Sequence, residues 1–135
     1  MSGLDKTTPI PAEIKLHQVS RKLEIAFNDG ARFELPYEFL RVYSPSAEVR
    51  GHGPGPEVLQ LGKKNIGIKS VEAVGSYAVT LTFSDGHDTG IYSWEYLYEL
   101  GANHVALWDR YVSRMEAAGA SREPLAGAPE RPKSK

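Results

Sequence analysis

Between Val79 and Ser84 apolar and polar positions alternate without a break, with Val79, Leu81 and Phe83 set against Thr80, Thr82 and Ser84. A period of two predicts a strand with one buried face and one wet face. Asp85-Gly86 follows at once and suits a tight turn that needs positive φ, so a second strand is expected to return through Thr89 to Tyr92. Trp94, Tyr96, Leu97, Tyr98 and Leu100 then crowd into seven residues, as on a short helix that packs aromatics onto the sheet it has just left. The unit reads strand, turn, strand, aromatic helix.

The same order occurs earlier. Leu23, Ile25 and Phe27 precede Asp29-Gly30, Phe33 and Leu35 follow, and Tyr37-Glu38-Phe39-Leu40 stands against Trp94-Glu95-Tyr96-Leu97. The offset is 56 residues at the turn and 57 at the aromatics. On this reading Ile14-Lys15 and Ile68-Lys69 open the matching first strands. Two hairpins of any β-rich domain can share Asp-Gly turns; the reading preferred here is an internal duplication, each copy burying its apolar face against the other. The fold class expected is α+β: two similar antiparallel three-strand and helix units forming one β-rich domain, closed by a C-terminal amphipathic helix.

That closing helix is predicted from His104 to about Ala118, with Val105, Trp108, Tyr111, Val112 and Met115 as its apolar stripe. Gly101-Ala102 should break the chain before it, Asn103 should cap it, and Gly119 should stop it. Pro36 can open the first aromatic helix, because a first helical turn does not need its missing donor. Pro9 and Pro11 make residues 1–12 a flexible leader, residues 13–118 form a single domain, and the proline- and charge-rich residues 119–135 are expected to be disordered. The longest irregular segment lies between Arg41 and Gly67, with Gly51, Gly53, Pro54, Gly55 and Pro56 at its centre. Loops of this length in a small domain are usually functional or mobile.

Composition narrows the chemistry. The chain has 135 residues and no cysteine, which removes disulfides, thiolate metal sites, iron–sulfur ligation and cysteine nucleophiles. Sixteen basic residues against 17 acidic ones leave no global field that would draw nucleic acid or an anionic membrane. No apolar run approaches a spanning helix and the N-terminus lacks the apolar core of a signal peptide, so a cytoplasmic protein is expected.

Few motifs remain. Gly62-Lys63-Lys64 lacks the leading glycine and the following Ser or Thr of a phosphate-binding loop, and Gly-x-Ser-x-Gly is absent. None of the four histidines has an acidic residue two positions on, as the two-histidine, one-carboxylate iron site usually does. His17 and His104 read as structural, and the aromatics read as core. His52 and His87 lie in turns, with Asp85 and Asp88 flanking His87, and are the candidate metal ligands if three or four groups converge.

The stretches FLRVYSPSAEVRGHGPG and DGHDTGIYSWEYL together resemble the DUF971 family, over roughly Glu13 to Met115. This domain also stands at the N-terminus of γ-butyrobetaine hydroxylase and trimethyllysine hydroxylase, and the resemblance implies an accessory domain rather than a catalyst. In those hydroxylases a Cys-x-Cys-x-x-Cys run after a Leu-Arg pair, with one later histidine, holds a structural zinc. Here Leu40-Arg41 is followed by Ser44, Ser46 and Val49, and His87 is the later histidine, so the family's zinc is not expected and no cofactor is expected in its place. Related domains are fused to P-loop ATPases similar to iron–sulfur carriers, which implies docking on a protein partner or handing over metal. Three readings follow: an interaction domain linked to iron–sulfur or iron-enzyme maturation; a metal-binding protein using His52 and His87 with Asp85 or Asp88; or a subunit of a 2-oxoglutarate oxygenase. A homodimer through exposed edge strands is open as well.

Overall fold

The computed structural model describes residues 9–50 and 58–123. Strands β1 (Pro11–His17), β2 (Lys22–Phe27) and β3 (Arg32–Pro36) form one antiparallel sheet in chain order, followed by helices α1 (Tyr37–Val42) and α2 (Ala47–Arg50). Strands β4 (Ile68–Val74), β5 (Ala78–Phe83) and β6 (Ile91–Ser93) form a second sheet of the same order, followed by helices α3 (Trp94–Ala102) and α4 (His104–Ala117). The α+β class and the two similar units are therefore present as expected.

The likeness extends to individual hydrogen bonds. Leu23 pairs with Leu35 in the first sheet and Val79 pairs with Tyr92 in the second. Phe27 N–H donates to Ala31 O at 2.8 Å, and Phe83 N–H to His87 O at 2.9 Å. In each turn an aspartate caps the same amide: Asp29 Oδ1 accepts from Ala31 N at 2.9 Å and Asp85 Oδ1 from His87 N at 3.1 Å. Gly30 and Gly86 take φ of 93° and 90°, a conformation that requires glycine here. Tyr37 N–H donates to Arg21 O and Trp94 N–H to Tyr77 O, so each helix leaves its sheet in the same way. The bulge in each first strand corrects the alignment of the repeats: Ile14 faces Ile25 as Val71 faces Leu81, so Ile14 corresponds to Val71 and not to Ile68.

The units then exchange contacts. Arg41 Nε on α1 donates to Asp85 of the second turn at 2.9 Å, and the Tyr98 hydroxyl on α3 donates to Asp29 of the first turn at 2.7 Å. Arg41 and Tyr98 are separated by the 57-residue offset, so the two contacts are reciprocal. Between them lies one core, in which Leu23, Ile25 and Phe27 join Val79, Leu81 and Phe83. Each such side chain contributes roughly 1.5–3 kcal/mol by leaving water.

Helix α4 closes this core with Tyr111 and Met115, flanked by Leu107, Trp108 and Val112. Val105, expected in the stripe, is 75% exposed: it sits in the first turn, beyond the reach of the sheets. Gly101 and Ala102 lie inside α3, not in a break, because the absent Cβ of Gly101 lets the Phe33 ring lie against the helix. Asn103 does not cap α4 with its side chain; its Nδ2 donates back to Glu99 O at 3.0 Å. Pro36 stands at the N-cap of α1 with extended ψ, one position outside the helix. Thr89 precedes β6 rather than lying in it.

At the end of α4, Gly119 N–H donates to Glu116 O and Ala120 N–H to Met115 O, with Gly119 at φ 64°. This is the paired-bond stop that glycine permits. Beyond it the expectation of disorder fails for Gly119–Glu123: Gly62 N–H and Lys64 N–H donate to Ser121 O and Arg122 O, so the chain is held against the Gln60–Lys64 segment. At the other end β1 begins at Pro11, inside the expected leader. The expectations for residues 1–8 and 124–135 and for the centre of the glycine-proline loop, 51–57, lie outside the described residues.

Candidate functional site

The polar groups of this core gather where α1 ends. Leu40 and Val42 pull α1 into the core, and the chain leaves through Tyr43, Ser44, Pro45 and Ser46 into α2. Ser46 opens α2: its carbonyl accepts from Val49 N and Arg50 N, and its Oγ from Glu48 N at 3.2 Å. Across from this segment runs the chain between the second Asp-Gly turn and β6. Ser46 Oγ meets Thr89 Oγ1 at 2.7 Å, and Ser44 Oγ meets His87 Nε2 at 2.8 Å. The other ring nitrogen, Nδ1, lies 3.0 Å from Glu48 Oε1. Gly90 completes the fit, since a Cβ there would collide with Ser44 Oγ.

For a neutral ring the donors and acceptors have one consistent assignment: a carboxylate only accepts, so Nδ1 carries the proton toward Glu48, and Nε2 accepts from the Ser44 hydroxyl. Ser44 Oγ in turn accepts from Ser46 N at 3.2 Å. Burial and the Arg41 charge push the His87 pKa down, outweighing Glu48 and Asp85, which favours this neutral ring. The order serine, histidine, carboxylate is that of a nucleophilic triad. Its setting is not: Ser44 is 1% exposed and its oxygen is packed against Gly90 and Pro45, leaving no approach for an acyl carbon. The cluster holds two chain segments together.

Asp85 does different work. Burial raises its pKa, but the Lys63 ammonium at 2.7 Å, the His87 amide and the Arg41 guanidinium outweigh burial and hold it at about 2. It is a permanent anion fixing Arg41, whose Nη1 also reaches Gln60 Oε1 at 3.1 Å. Asp88 is exposed, and His52 lies outside the described residues. The structure thus brings the His87 ring to Ser44 and Glu48, with Ser46 bonded to the nearby Thr89, while Asp85 bonds the His87 amide rather than its ring. Among the described residues no group of three or more His, Cys, Asp or Glu is placed to hold a metal ion. At the positions that the resemblance assigns to zinc, Ser44, Ser46 and Val49 offer two engaged hydroxyls and a hydrocarbon, and the His87 ring is bonded at both nitrogens; that set does not fit zinc.

A second polar centre was not legible in the sequence. Glu38 on α1 is 7% exposed and accepts both bonds of the Arg122 guanidinium, at 2.8 Å and 2.7 Å. Nothing in the spacing of residues 84 apart announces this pair. Its only sequence signal is the duplication, in which Glu38 and Glu95 share a position that the C-terminal segment covers in just one copy.

Residues 14–98 match the family model described as Gamma-butyrobetaine hydroxylase-like, N-terminal. The chain belongs to this family. Two similar proteins have NMR solution structures. One is 52% identical at a TM-score of 0.77, covering 95% of this chain and 96% of that one; the other is 46% identical at 0.76, covering 91% and 98%. A crystal structure at 1.93 Å of a protein of unknown function from Acidithiobacillus ferrooxidans ATCC 23270, assigned to DUF971, is 41% identical at a TM-score of 0.57 and covers 68% and 92%. A search of curated proteins finds no match. Among the described residues no helix is long and apolar enough to cross a membrane.

Proposed function

We propose that this member of the Gamma-butyrobetaine hydroxylase-like, N-terminal family is a non-catalytic interaction domain that docks on a protein of iron–sulfur or iron-enzyme maturation. The sealed cluster at Ser44 carries this reading. Among the described residues the arrangement with catalytic chemistry, Ser44–His87–Glu48, uses its bonds internally and presents no nucleophile, which favours work at the surface. The family description, which places such domains at the N-terminus of a hydroxylase, supports an appended role beside an iron enzyme.

The test is crosslinking and capture of the full chain in the cells that make it, with metal analysis of the untagged protein alongside. The reading expects a reproducible partner that carries or delivers iron, and substoichiometric metal on the chain itself. Stoichiometric iron or zinc that disappears in His87→Ala, with no partner recovered, would overturn it in favour of metal binding through His52 and His87.

A further inference from the structure

The Arg122 contact has the parts of a peptide-binding site. Its floor is the Glu38 carboxylate, which takes the guanidinium in the two-bond geometry that distinguishes arginine from lysine. Its wall is the Trp108 ring, 5.1 Å from the guanidinium carbon. Its rim is Gly62 N–H and Lys64 N–H, which donate to Ser121 O at 3.1 Å and Arg122 O at 2.9 Å. Lys64 Nζ lies 2.6 Å from the Glu123 carboxylate. Three consecutive residues make all of these contacts, so what is recognised is a short bent segment: backbone carbonyls, an arginine, then an acid.

That segment joins α4 through Gly119-Ala120 alone, and Glu95, the counterpart of Glu38 in the second unit, is exposed with no such cover. Glu38 is buried because the segment lies on it. With the segment lifted, the Glu38 carboxylate would be open to a second cation, and its two oxygens are placed for a guanidinium.

We propose that the cradle of Glu38, Trp108, Gly62 and Lys64 is the docking site for a short partner segment carrying arginine followed by an acidic residue, and that Ser121–Glu123 is the intrachain strap such a segment displaces. This rests on the interaction-domain reading and gives it a surface. Tethering gives the strap a high effective concentration, so the partner meets a mostly closed cradle and binds more tightly when the strap is weakened.

The probe is a synthetic peptide of residues 119–125, Gly-Ala-Ser-Arg-Glu-Pro-Leu, titrated into the full chain by NMR. Arg122→Ala should bind it at least about tenfold more tightly than wild type, as release of a competing intrachain ligand requires. The shifts should fall on the Gly62 and Lys64 amides and the Trp108 indole, and a peptide with alanine for arginine should give none. Equal or absent binding in a folded Arg122→Ala chain overturns the proposal. Should that variant not fold, excess peptide on the wild-type chain decides: shifts confined to those three groups support the cradle, and shifts elsewhere or none remove it. Concentration-dependent dimers of the wild type that shift the same groups would assign the cradle to a second copy and overturn the partner reading. A cellular partner still captured by a chain whose cradle fails this titration would leave the interaction domain standing without the cradle.

Discussion

The two units share strand order, register, turn geometry and the reciprocal helix-to-turn contact, yet at three equivalent positions they differ. Ala31 in the first turn stands where His87 stands in the second; Tyr98 reaches Asp29 where Arg41 reaches Asp85; and Glu95 is exposed where Glu38 is buried. In each comparison one copy keeps a neutral or solvated solution while the other carries buried charge or a buried imidazole. Shared features build the fold. The differences cluster around α1, where α2, α4 and the strap converge, so asymmetry marks the part of the molecule with chemistry to spare.

Mutations on paired positions should expose this contrast. The largest effect is expected at Arg41, whose side chain is 9% exposed. Arg41→Ala removes the buried guanidinium with its bonds to Asp85 and Gln60, leaves the solvent-accessible Asp85 with Lys63, and should cost about 3 kcal/mol in denaturant unfolding. Its counterpart Tyr98→Phe removes one hydrogen bond to an exposed aspartate and should cost about 1 kcal/mol or less. Equal losses would mean that the reciprocal contacts are not differently built. Next comes Glu38→Ala against Glu95→Ala. The first should lose roughly 1–3 kcal/mol, discounted because Arg122 is 39% exposed, and the second should stay within about 0.5 kcal/mol.

A smaller effect is expected from acid. The carboxyl of Asp85 titrates near 2 in the fold against 3.8 unfolded, so its contribution is complete above pH 4 and is lost as pH falls toward 2. Solvent screening of this exposed residue reduces that contribution to about 1 kcal/mol. Asp85→Asn should therefore flatten the stability curve in this window, whereas Asp29→Asn, in an exposed turn, should alter it much less. The sign for His87 is different in kind: its folded pKa lies below the unfolded value of 6.5, so the neutral ring stabilises above that pH and stability falls as the solution is made more acid. His87→Gln should remove that slope, while a substitution at Ala31 should not touch it.

Much of this fold is written locally. The alternation in β2 and β5 and the Asp-Gly pairs fix two hairpins, and the spacing of Trp108, Tyr111 and Met115 fixes the face of α4. Val105 obeyed the same spacing and is solvated, because a helical period defines a face but not how far the core reaches along it. The strap was illegible for a related reason. Ser-Arg-Glu-Pro reads as solvated chain by composition, and only a tertiary contact, a carboxylate 84 residues away, recruits it. The meeting of Ser44 with His87 was likewise not in their spacing; only the family resemblance singled the two out, and Glu48, the partner of the second ring nitrogen, carried no signal at all.

The central claim is that Ser44, His87 and Glu48 form a sealed hydrogen-bonded clasp built on a neutral ring. It is tested most directly by the imidazole nitrogen spectrum of His87 in the untreated protein at neutral pH. The structure predicts a protonated Nδ1, an unprotonated Nε2 accepting from Ser44, and a spectrum unchanged by chelator. A proton on Nε2, a ring in free exchange with solvent, or a nitrogen shift that chelator reverses would contradict it.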